Sequence, residues 1–480
     1  MMDTIVKEGQ ISFKELEQKI FAYACGLARE ITVQLLESYD KELSEGRDKG
    51  KYRCKGKRQT SIKTVYGEVE YQRNVYRMET EDGQTAHVFL LDEAMQMDKI
   101  GLISTNLAEK IAMTVTESPY RVTAGIISST CGQSISAGGV WNMMQRLGER
   151  ISEEETHAVK QMESGQGEGK KSVPVLFEEM DGVWLCMQDG HHKKMKKQEM
   201  KVFTMYEGWD KEKEKEGRST LVGKKMLAGM EKSVEFHEKR EACIRKEYNA
   251  DEVGQRVLNG DGGSWIKEPY DPDTIFQLDR YHICQEILRK ISHKEAQAEI
   301  RRLFEEEKIN EMLEYIRIYA DSVESPDGKD KSSKKARELY QYLSNNKEGL
   351  LPWQKRGIQI PEAAEGILYK GMGVQESQNC TVITLRMKHR RMRWSVKGAN
   401  NLAKALYRKE NKELIETIGR YTDGLVFTMQ MQEIVETLSA AKAPKKDGKG
   451  NIYAELINCH MPLQDAVQTA SRKAFLEAFA

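Results

Sequence analysis

The sequence lacks an excess of charge, a paired cysteine motif and a long apolar run. Its 480 residues include 75 Lys and Arg and 75 Asp and Glu, so any nucleic-acid partner must be bound by local basic patches. The eight cysteines are scattered without a CxxC pair, which argues against a disulfide framework or a structural zinc site and fits a reducing cytoplasm. Because we find neither a basic-then-apolar leader nor a run able to cross a bilayer, we expect a cytoplasmic protein without membrane contact.

What the sequence does contain is three acidic residues beside regular structure. Asp261 lies in the small-residue stretch NGDGGSWIK, at the expected end of a strand, where the backbone can present a carboxylate to a metal. Asp181 follows one apolar run and precedes another, and Glu376 begins a predicted helix that is strongly basic. Carboxylates are hard ligands, so these three side chains could share divalent cations.

The first 100 residues predict a helix and a β-hairpin. Ser12 and Glu15 match a capping box, and apolar residues then recur at the spacing of a long amphipathic helix. We expect its apolar stripe to pack on its own domain; packing on a second copy of the chain is the less favoured interpretation. The alternation from Val69 to Tyr76 predicts a strand that pairs with Ile62 to Val65.

Between the predicted helix and the hairpin, residues 47–58 are rich in lysine, arginine and glycine. This composition suits a flexible arm on a phosphate backbone, with Lys55 and Arg58 as DNA contacts. A solvated linker is nearly as good an interpretation.

Residues 101–160 have the spacing of a helix-turn-helix. Leu107, Ile111 and Val115 would lie on one face of a first helix. Ser118 would be the N-cap and Pro119 the first residue of a second helix, and Ser136 caps a third. The buried stripe of the third helix would be Val140, Met144 and Leu147. Its outward polar side chains, suited to contacts in a major groove, would be Asn142, Gln145 and Arg146. Three short helices with a glycine turn also occur in proteins that never meet DNA.

Four segments together carry a resemblance to a known family. DGVWL at Asp181, NGDGGSWIK at Asp261, QLDRYH at Asp279 and the segment from Glu376 to Leu406 are similar to the ISLre-type transposases of bacterial insertion sequences. The likeness covers nearly the whole chain. It implies a member of the DDE superfamily with a ribonuclease-H-like catalytic core.

The resemblance implies roles for particular residues. Asp181, Asp261 and Glu376 would be the catalytic acids and would hold two Mg²⁺ (or Mn²⁺) ions per active site, with Asp181 bridging both. Asp279 and His282 match a DxxH element that orients the metal site or binds near the scissile phosphate. Equally, Asp279 could be a helix N-cap and His282 an ordinary half-buried side chain.

A basic segment follows Glu376, on an expected helix that buries Cys380, Ile383 and Met387. Its charge density beside a catalytic acid suits phosphate oxygens, although a charge run is usually a solvated face. Trp394 would stack on an unpaired base or fill the core. The candidate DNA contacts here are Arg386, Lys388, Arg390, Arg391, Arg393, Trp394 and Lys397.

The expected fold is a multidomain α+β/α/β protein. An N-terminal helical and β-hairpin region with a helix-turn-helix precedes a ribonuclease-H-like mixed sheet, which carries an α-helical insertion. Three antiparallel strands would open the core: Val173 to Phe177, Val183 to Met187 and Lys201 to Tyr206. The domains would be 1–100, 101–160 (helix-turn-helix), 171–282 (first part of the core), 283–365 (helical insertion), 366–410 (last part of the core) and 411–480 (C-terminal helical tail).

The resemblance implies DNA cleavage at terminal inverted repeats by metal-activated water, then strand transfer from the freed 3′-hydroxyl. The partners would be double-stranded DNA, at element ends and target, and further copies of the chain in a homodimer or higher oligomer. The protein would lie in the bacterial cytoplasm, on the nucleoid when bound to DNA. Two alternatives remain: a ribonuclease-H-like endonuclease without strand transfer, and a noncatalytic helix-turn-helix protein derived from a transposase.

Overall fold

A computed structural model of the protein describes residues 12–80, 83–96, 101–188, 196–267, 273–324 and 331–422, apart from the side chain of Arg390. The predicted C-terminal tail, 411–480, is therefore described only as far as residue 422. The composition of residues 443–450 predicts a loop, and this segment lies outside the described residues.

The described helices and strands follow the chain in a fixed order. They are α1 (Phe13–Gly46), β1 (Arg53–Thr64), β2 (Gly67–Glu79), β3 (Thr85–Val88), α2 (Leu90–Ala94), α3 (Thr105–Glu117), α4 (Tyr120–Thr130), α5 (Ala137–Glu163), β4 (Lys171–Cys186), β5 (Lys197–Tyr206), β6 (Gly208–Asp210), α6 (Lys211–Lys215), β7 (Leu221–Val222), β8 (Lys225–Gly229), α7 (Ser233–Glu247), β9 (Tyr248–Gly260), α8 (Ser264–Lys267), β10 (Ile275–Leu278), α9 (Arg280–Lys290), α10 (Lys294–Glu305), α11 (Ile309–Ser322), α12 (Ser332–Asn345), β11 (Ile367–Leu368), α13 (Gln375–Gln378), α14 (Leu385–Met387), α15 (Val396–Glu410) and α16 (Leu414–Thr422).

The largest sheet has five strands in the order β8-β5-β4-β9-β10. Strands β4, β5 and β8 form an antiparallel meander, while β9 and β10 lie parallel to β4 on its other side. A parallel neighbour needs a crossover connection, and α7 supplies it between β8 and β9. Strand β4 is therefore central, with neighbours on both sides.

The predicted strands Val173 to Phe177 and Val183 to Met187 are not separate. They form one strand, β4, because Asp181 and Gly182 continue the ladder by pairing with Val202 and Lys201 of β5. The predicted strand from Lys201 to Tyr206 is the second half of β5, and the third strand of the meander is β8. An Asp-Gly pair looks like a turn in sequence, but here it lies in a buried extended strand.

The N-terminal region contains the predicted hairpin. Strands β1 and β2 pair across the turn before Gly67, and the capping box of Ser12 and Glu15 is present at the start of α1. The prediction of a flexible arm is wrong from Arg53 onward, because Arg53 and the residues after it belong to β1. Lys55 and Arg58 are exposed on that strand. Buried Leu36 of α1 packs in one cluster with apolar hairpin residues.

Helices α3, α4 and α5 share one hydrophobic core with the large sheet. The predicted stripe of Leu107, Ile111 and Val115 is fully buried, and Ser136 caps α5 by accepting a hydrogen bond from the Gly139 amide. The N-cap of α4 is Pro119 rather than Ser118, which ends α3. The third helix is not short: α5 has 27 residues and packs against α7 and α15.

The predicted outward position of Gln145 is wrong. Its side chain is buried, and its carbonyl oxygen Oε1 accepts a hydrogen bond of 2.9 Å from Asn401 Nδ2 of α15. Asn142 and Arg146, by contrast, are exposed on the same helix. The packing of α5 on α15 therefore removes Gln145 from the surface.

Helices α9 to α12 form the predicted helical block between Asp261 and Glu376. Their apolar residues form a hydrophobic cluster of their own, which includes Ile287, Ile300, Phe304 and Ile316. Leu288, on another face of α9 from Ile287, is exposed. The insertion packs beside β10, whose Leu278 joins its core.

Candidate metal centre

Asp181 and Asp261 occupy matching positions on adjacent parallel strands. The pairing of β4 with β9 ends at Met180 and Gly260, and the two aspartates are the next residues along the chain, Asp181 within β4 and Asp261 directly after β9. Neighbouring parallel strands run in the same direction, so side chains at the ends of their shared ladder lie together. This register brings two carboxylates 80 residues apart in sequence to one edge of the paired region.

The small residues after β9 shape the turn that presents Asp261. Its Oδ1 accepts a hydrogen bond of 2.8 Å from the Gly263 amide, and its backbone carbonyl accepts one of 2.8 Å from the Tyr342 hydroxyl. Gly262 has a φ of +78°, in the left-handed region that favours glycine, and a Cβ there would lie 2.9 Å from Asn346 Oδ1. The turn needs glycine to pass this close to the helical insertion.

His282 reaches the two aspartates from the first turn of α9. Asp279 is the N-cap of that helix, and its side chain accepts a hydrogen bond of 2.7 Å from the Tyr281 amide. The Asp279 amide in turn donates to the carbonyl oxygen of Gly260 at 2.9 Å, which ties the start of α9 to the end of β9. His282 Nε2 lies 3.5 Å from Asp181 Oδ1.

These side chains form a potential metal site. Asp181, Asp261 and His282 each offer one ligand atom, and the three atoms lie within 4.8 Å of one another. Burial alone would lower the pKa of His282, but the hydrogen bond to Asp181 and the charges of Asp181, Asp279 and Asp261 raise it to about 9. The imidazole is the positive group in a site of otherwise negative charge.

Glu376, the third predicted acid, is not one of these three ligands. It is exposed in the first turn of α13. Partial burial and the negative charge of Asp181 raise the pKa of its carboxyl, so the two carboxyl groups are close enough to repel each other. Glu376 therefore lies beside the site, and the three side chains that lie closest together are Asp181, Asp261 and His282.

A further acidic residue, Glu199 of β5, was not predicted from the sequence. Its carboxyl pKa is raised by burial and by the charges of Asp261 and Asp181. A Cβ added to Gly182 would lie 2.0 Å from Glu199 Oε1. The Glu199 carboxylate therefore occupies space that is open because residue 182, next to Asp181, is glycine. No motif marks Glu199, and only the pairing of β4 with β5 brings it to the site.

Glu179 and Asn379 were also missed, and both contact the elements that carry the predicted acids. Glu179 is fully buried on β4, two residues before Asp181, where alternation in a strand puts both on one face. Asn379 lies one turn beyond Gln375, and its Nδ2 donates to Asp181 Oδ2 at 2.6 Å. The only sequence signals were that Glu179 lies two residues before Asp181 and that Asn379 lies three residues after Glu376.

The basic segment after Glu376 is partly buried. The guanidinium of Arg386 donates to the carbonyl oxygen of Val115 at 2.6 Å and lies over the rings of Tyr120 and Trp394. Trp394 is also buried and donates through Nε1 to the carbonyl oxygen of Met387 at 2.8 Å. The predictions that these two side chains contact DNA are therefore wrong, because both fill the core.

The rest of that helix also differs from its prediction. A π-helical turn, Asn379–Thr384, separates α13 from α14, and it buries Val382 and Ile383 while leaving Cys380 exposed. The prediction that Cys380 is buried is therefore wrong, whereas Ile383 and Met387 are buried as predicted. The exposed basic side chains of the segment are Lys388, Arg391, Arg393 and Lys397. The side chain of Arg390 lies outside the described part of the structure.

Part of the predicted DNA-binding surface does come together. The exposed residues Asn142 and Arg146 near the start of α5 line one groove with Lys397 from α15 and Lys63 from β1. Lys397 forms an ion pair with Glu149 on α5. Helices from two distant parts of the chain therefore meet at this groove.

Comparison with known proteins places the chain in a family. A family model described as Uncharacterised protein family (UPF0236) matches residues 6–417, and the chain belongs to this family. A UPF0236 protein of Caldanaerobacter subterraneus subsp. tengcongensis is 26% identical over 414 residues, which are 84% of this chain and 79% of the relative. A second from that organism is 25% identical over 401 residues, 82% of this chain and 78% of the relative. The name of the first relative joins eleven designations.

One further finding concerns membranes. Among the described residues, no helix combines the length and the apolar character needed to span a bilayer.

Proposed function

We propose that the protein is a DDE transposase of an insertion sequence, of the ISLre type that its motifs resemble. It binds terminal inverted repeats, cleaves a DNA strand by hydrolysis and joins the freed 3′-hydroxyl to target DNA. The observation that carries the proposal is the placement of Asp181 and Asp261 at the shared end of two parallel strands, beside His282 and Glu376. Acids remote in sequence converge where a phosphodiester could be bound.

The sheet supports a ribonuclease-H-like core for this activity. An antiparallel meander of β4, β5 and β8, extended by two strands parallel to β4, agrees with the core that the resemblance implies. The helical insertion lies between β10 and Glu376, and its Tyr342 holds the turn of Asp261. The insertion thus helps to form the wall of the site.

The donor set fits divalent cations. Asp181, Asp261 and Glu376 supply the carboxylate oxygens that Mg²⁺ and Mn²⁺ prefer, and the imidazole of His282 is a ligand that Mn²⁺ also accepts. A bound pair of ions would supply Lewis-acid stabilisation of the attacking and leaving oxygens. The protein residues position these carboxylates. Without an ion, the protonated His282 partly balances their charge; binding of an ion through its imidazole would release that proton.

The relatives give independent support for a mobile gene. The eleven designations joined in one relative's name are what a protein encoded at many places in one organism would carry. Insertion sequences multiply in this way, whereas a gene for a housekeeping nuclease or regulator generally does not. This observation favours a transposase over both alternatives.

DNA would bind to the exposed basic residues. The groove lined by Asn142, Arg146 and Lys397 would contact the element end, together with Lys55 and Arg58 of β1. Exposed Lys388, Arg391 and Arg393 lie in the segment between the acidic site and α15, where they would contact phosphates. Pairing of two element ends implies a homodimer or higher oligomer on DNA.

The proposal is tested with the DNA that flanks the gene. The purified full chain is incubated with labelled flanking ends, a target plasmid and Mg²⁺ or Mn²⁺. We expect end cleavage and joined products from the wild type, and end binding without cleavage from Asp181→Asn. Cleavage without joined products would indicate a nuclease, end binding without metal-dependent nicking would indicate a DNA-binding regulator, and equal cleavage by Asp181→Asn would refute the site.

A further inference from the structure

The segments that carry the three acids are connected through one buried carboxylate, that of Glu179. It has no exposed surface, and it accepts five hydrogen bonds. One comes from Tyr206 of β5 at 2.6 Å and one from Asn259 of β9 at 3.1 Å. The other three come from the backbone amides of Gly373, Val374 and Gln375 at 3.0, 3.2 and 3.1 Å.

These contacts fix the start of the helix that carries Glu376. Free amides at a helix N-terminus attract an anion, and here a carboxylate of the central strand occupies that position. Asn259, which donates to the same carboxylate, lies two residues before Asp261. Glu179 therefore ties β4, β9 and α13 together directly beside the acidic site.

A second set of hydrogen bonds leads from α13 to Asp181. The side-chain amide of Gln375 donates from Nε2 to Asn379 Oδ1 at 2.8 Å, and Asn379 donates from Nδ2 to Asp181 Oδ2 at 2.6 Å. Gln375 and Asn379 are 1% and 3% exposed, so neither amide can be satisfied by water in this position. The bond from Gln375 fixes which end of the Asn379 amide faces Asp181.

We propose that Asn379 is a positioning residue for Asp181 and that Glu179 holds it in place by anchoring its helix. The inference rests on the proposed function. Asn379 binds Oδ2 of Asp181, while Oδ1 is the atom that lies 3.5 Å from His282. A neutral donor stabilises the ionised carboxylate and fixes its rotamer without adding a charge that would compete with a cation.

The experiment measures metal affinity on the full chain without DNA. Mn²⁺ is titrated, and the free ion is followed by electron paramagnetic resonance. Removing an outer-shell partner of a metal ligand typically weakens binding by about 10- to 100-fold. We therefore expect Asn379→Ala to bind Mn²⁺ at least about tenfold more weakly than the wild type, and its end cleavage to recover when Mn²⁺ is raised by the same factor.

A second variant covers the case in which Asn379→Ala does not fold. Asn379→Leu has a similar volume and no donor, and it should show the same weakening. The matched control is Asn401→Ala on α15: Asn401 is likewise 3% exposed and donates from Nδ2, but to Gln145. We expect that control to lower the melting temperature and leave the Mn²⁺ affinity unchanged.

The outcomes separate the inference from the proposed function. If the wild type binds Mn²⁺, Asp181→Asn does not, and the Asn379 variants bind like the wild type, then the positioning role is wrong and the proposed function stands. If Asn401→Ala weakens Mn²⁺ binding as much as Asn379→Ala does, the effect is general destabilisation and the inference again fails. If the wild type itself binds no Mn²⁺, the proposed metal centre fails, and the inference fails with it.

Discussion

Two clusters of charged side chains in this protein differ in their balance. The first, which we call the lysine network, places Lys239 and Lys404 between Glu155 and Glu231, and all four side chains are at most 6% exposed. Lys404 lies 2.8 Å from Glu155 and 2.7 Å from Glu231. Two positive and two negative buried charges thus meet where α5, α7 and α15 pack together, and the exposed Glu235 adds a further ion pair with Lys239 at 3.1 Å.

The second cluster is the acidic site, where His282 is the positive partner of Asp181, Asp261 and Glu376. The positive charge that acts on Glu199 is that of Lys201. The pKa directions express the difference. Burial would raise the pKa of Glu231, but Lys404 and Lys239 lower it to about 2, whereas burial and the charge of Asp181 raise the pKa of Asp261. Removing one charge from a balanced buried cluster leaves another charge without a partner and destabilises the fold, whereas an unbalanced cluster is typical of a functional site such as one that binds a cation.

The same substitution chemistry should have opposite effects in the two clusters. Asp261→Asn removes one carboxylate from the acidic site and should reduce DNA cleavage by at least about a thousand-fold, since the metal contributes several kcal/mol to such reactions. Its stability should be unchanged or higher, because repulsion from Asp181 is relieved. Glu231→Gln should instead lose stability and keep cleavage wherever it is folded. Cleavage assays and urea unfolding on both variants check this contrast, and equal loss of cleavage in both would contradict it.

Breaking the balance of the lysine network should cause the largest loss of stability. Lys404→Met leaves two buried glutamates with one lysine, and removing one partner of a buried ion pair costs about 3–5 kcal/mol. The control is Lys41→Met on α1, where an exposed lysine lies 3.9 Å from Glu45 and contributes at most about 0.5 kcal/mol. Chemical denaturation measures both free energies of unfolding. A loss below about 1 kcal/mol for Lys404→Met would show that the network is not needed for stability.

Acid should weaken the lysine network in a defined pH range. Because the pKa of Glu231 is lowered from 4.5 to about 2, its stabilising contribution is complete above pH 4.5 and is lost as the pH falls toward 2. The shift corresponds to about 3 kcal/mol at 1.36 kcal/mol per pKa unit. Glu231→Gln should therefore show a flatter fall of unfolding free energy between pH 4.5 and 2.5 than the wild type. Parallel curves for the two proteins would exclude Glu231 as the source.

Local patterns predicted much of the architecture because they depend on near neighbours. The capping box of Ser12, the stripe of Leu107 and Ile111 on α3, and the turn of small residues after β9 are all present. Each depends on residues within a few positions of one another. The division of β4 into two strands failed because Asp181-Gly182 has turn composition, and only the pairing with β5 keeps it extended.

Contacts between distant residues decided the parts that the sequence did not predict. Gln145 is buried by Asn401, 256 residues away, and Arg386 by the carbonyl of Val115, 271 residues away. Asn379 reaches Asp181 across 198 residues. A single sequence carries motifs and periodicity but not these pairings, so the three acids and His282 could be named while Glu199, Glu179 and Asn379 could not.

The smallest expected effect is stabilisation by a metal, and it should distinguish the clusters most directly. A cation that binds only the folded protein stabilises it by about 2.7 kcal/mol at a hundred times its dissociation constant. Mn²⁺ should raise the unfolding free energy of the wild type by about this amount, because it offsets the excess negative charge beside Asp181 and Asp261. The unfolding free energy of Glu231→Gln should rise as much as that of the wild type, since the acidic site is intact in this variant. That of Asp261→Asn should rise little. Denaturation with and without Mn²⁺ gives one difference for each of the three proteins, and an equal gain in Asp261→Asn would place the bound ion elsewhere.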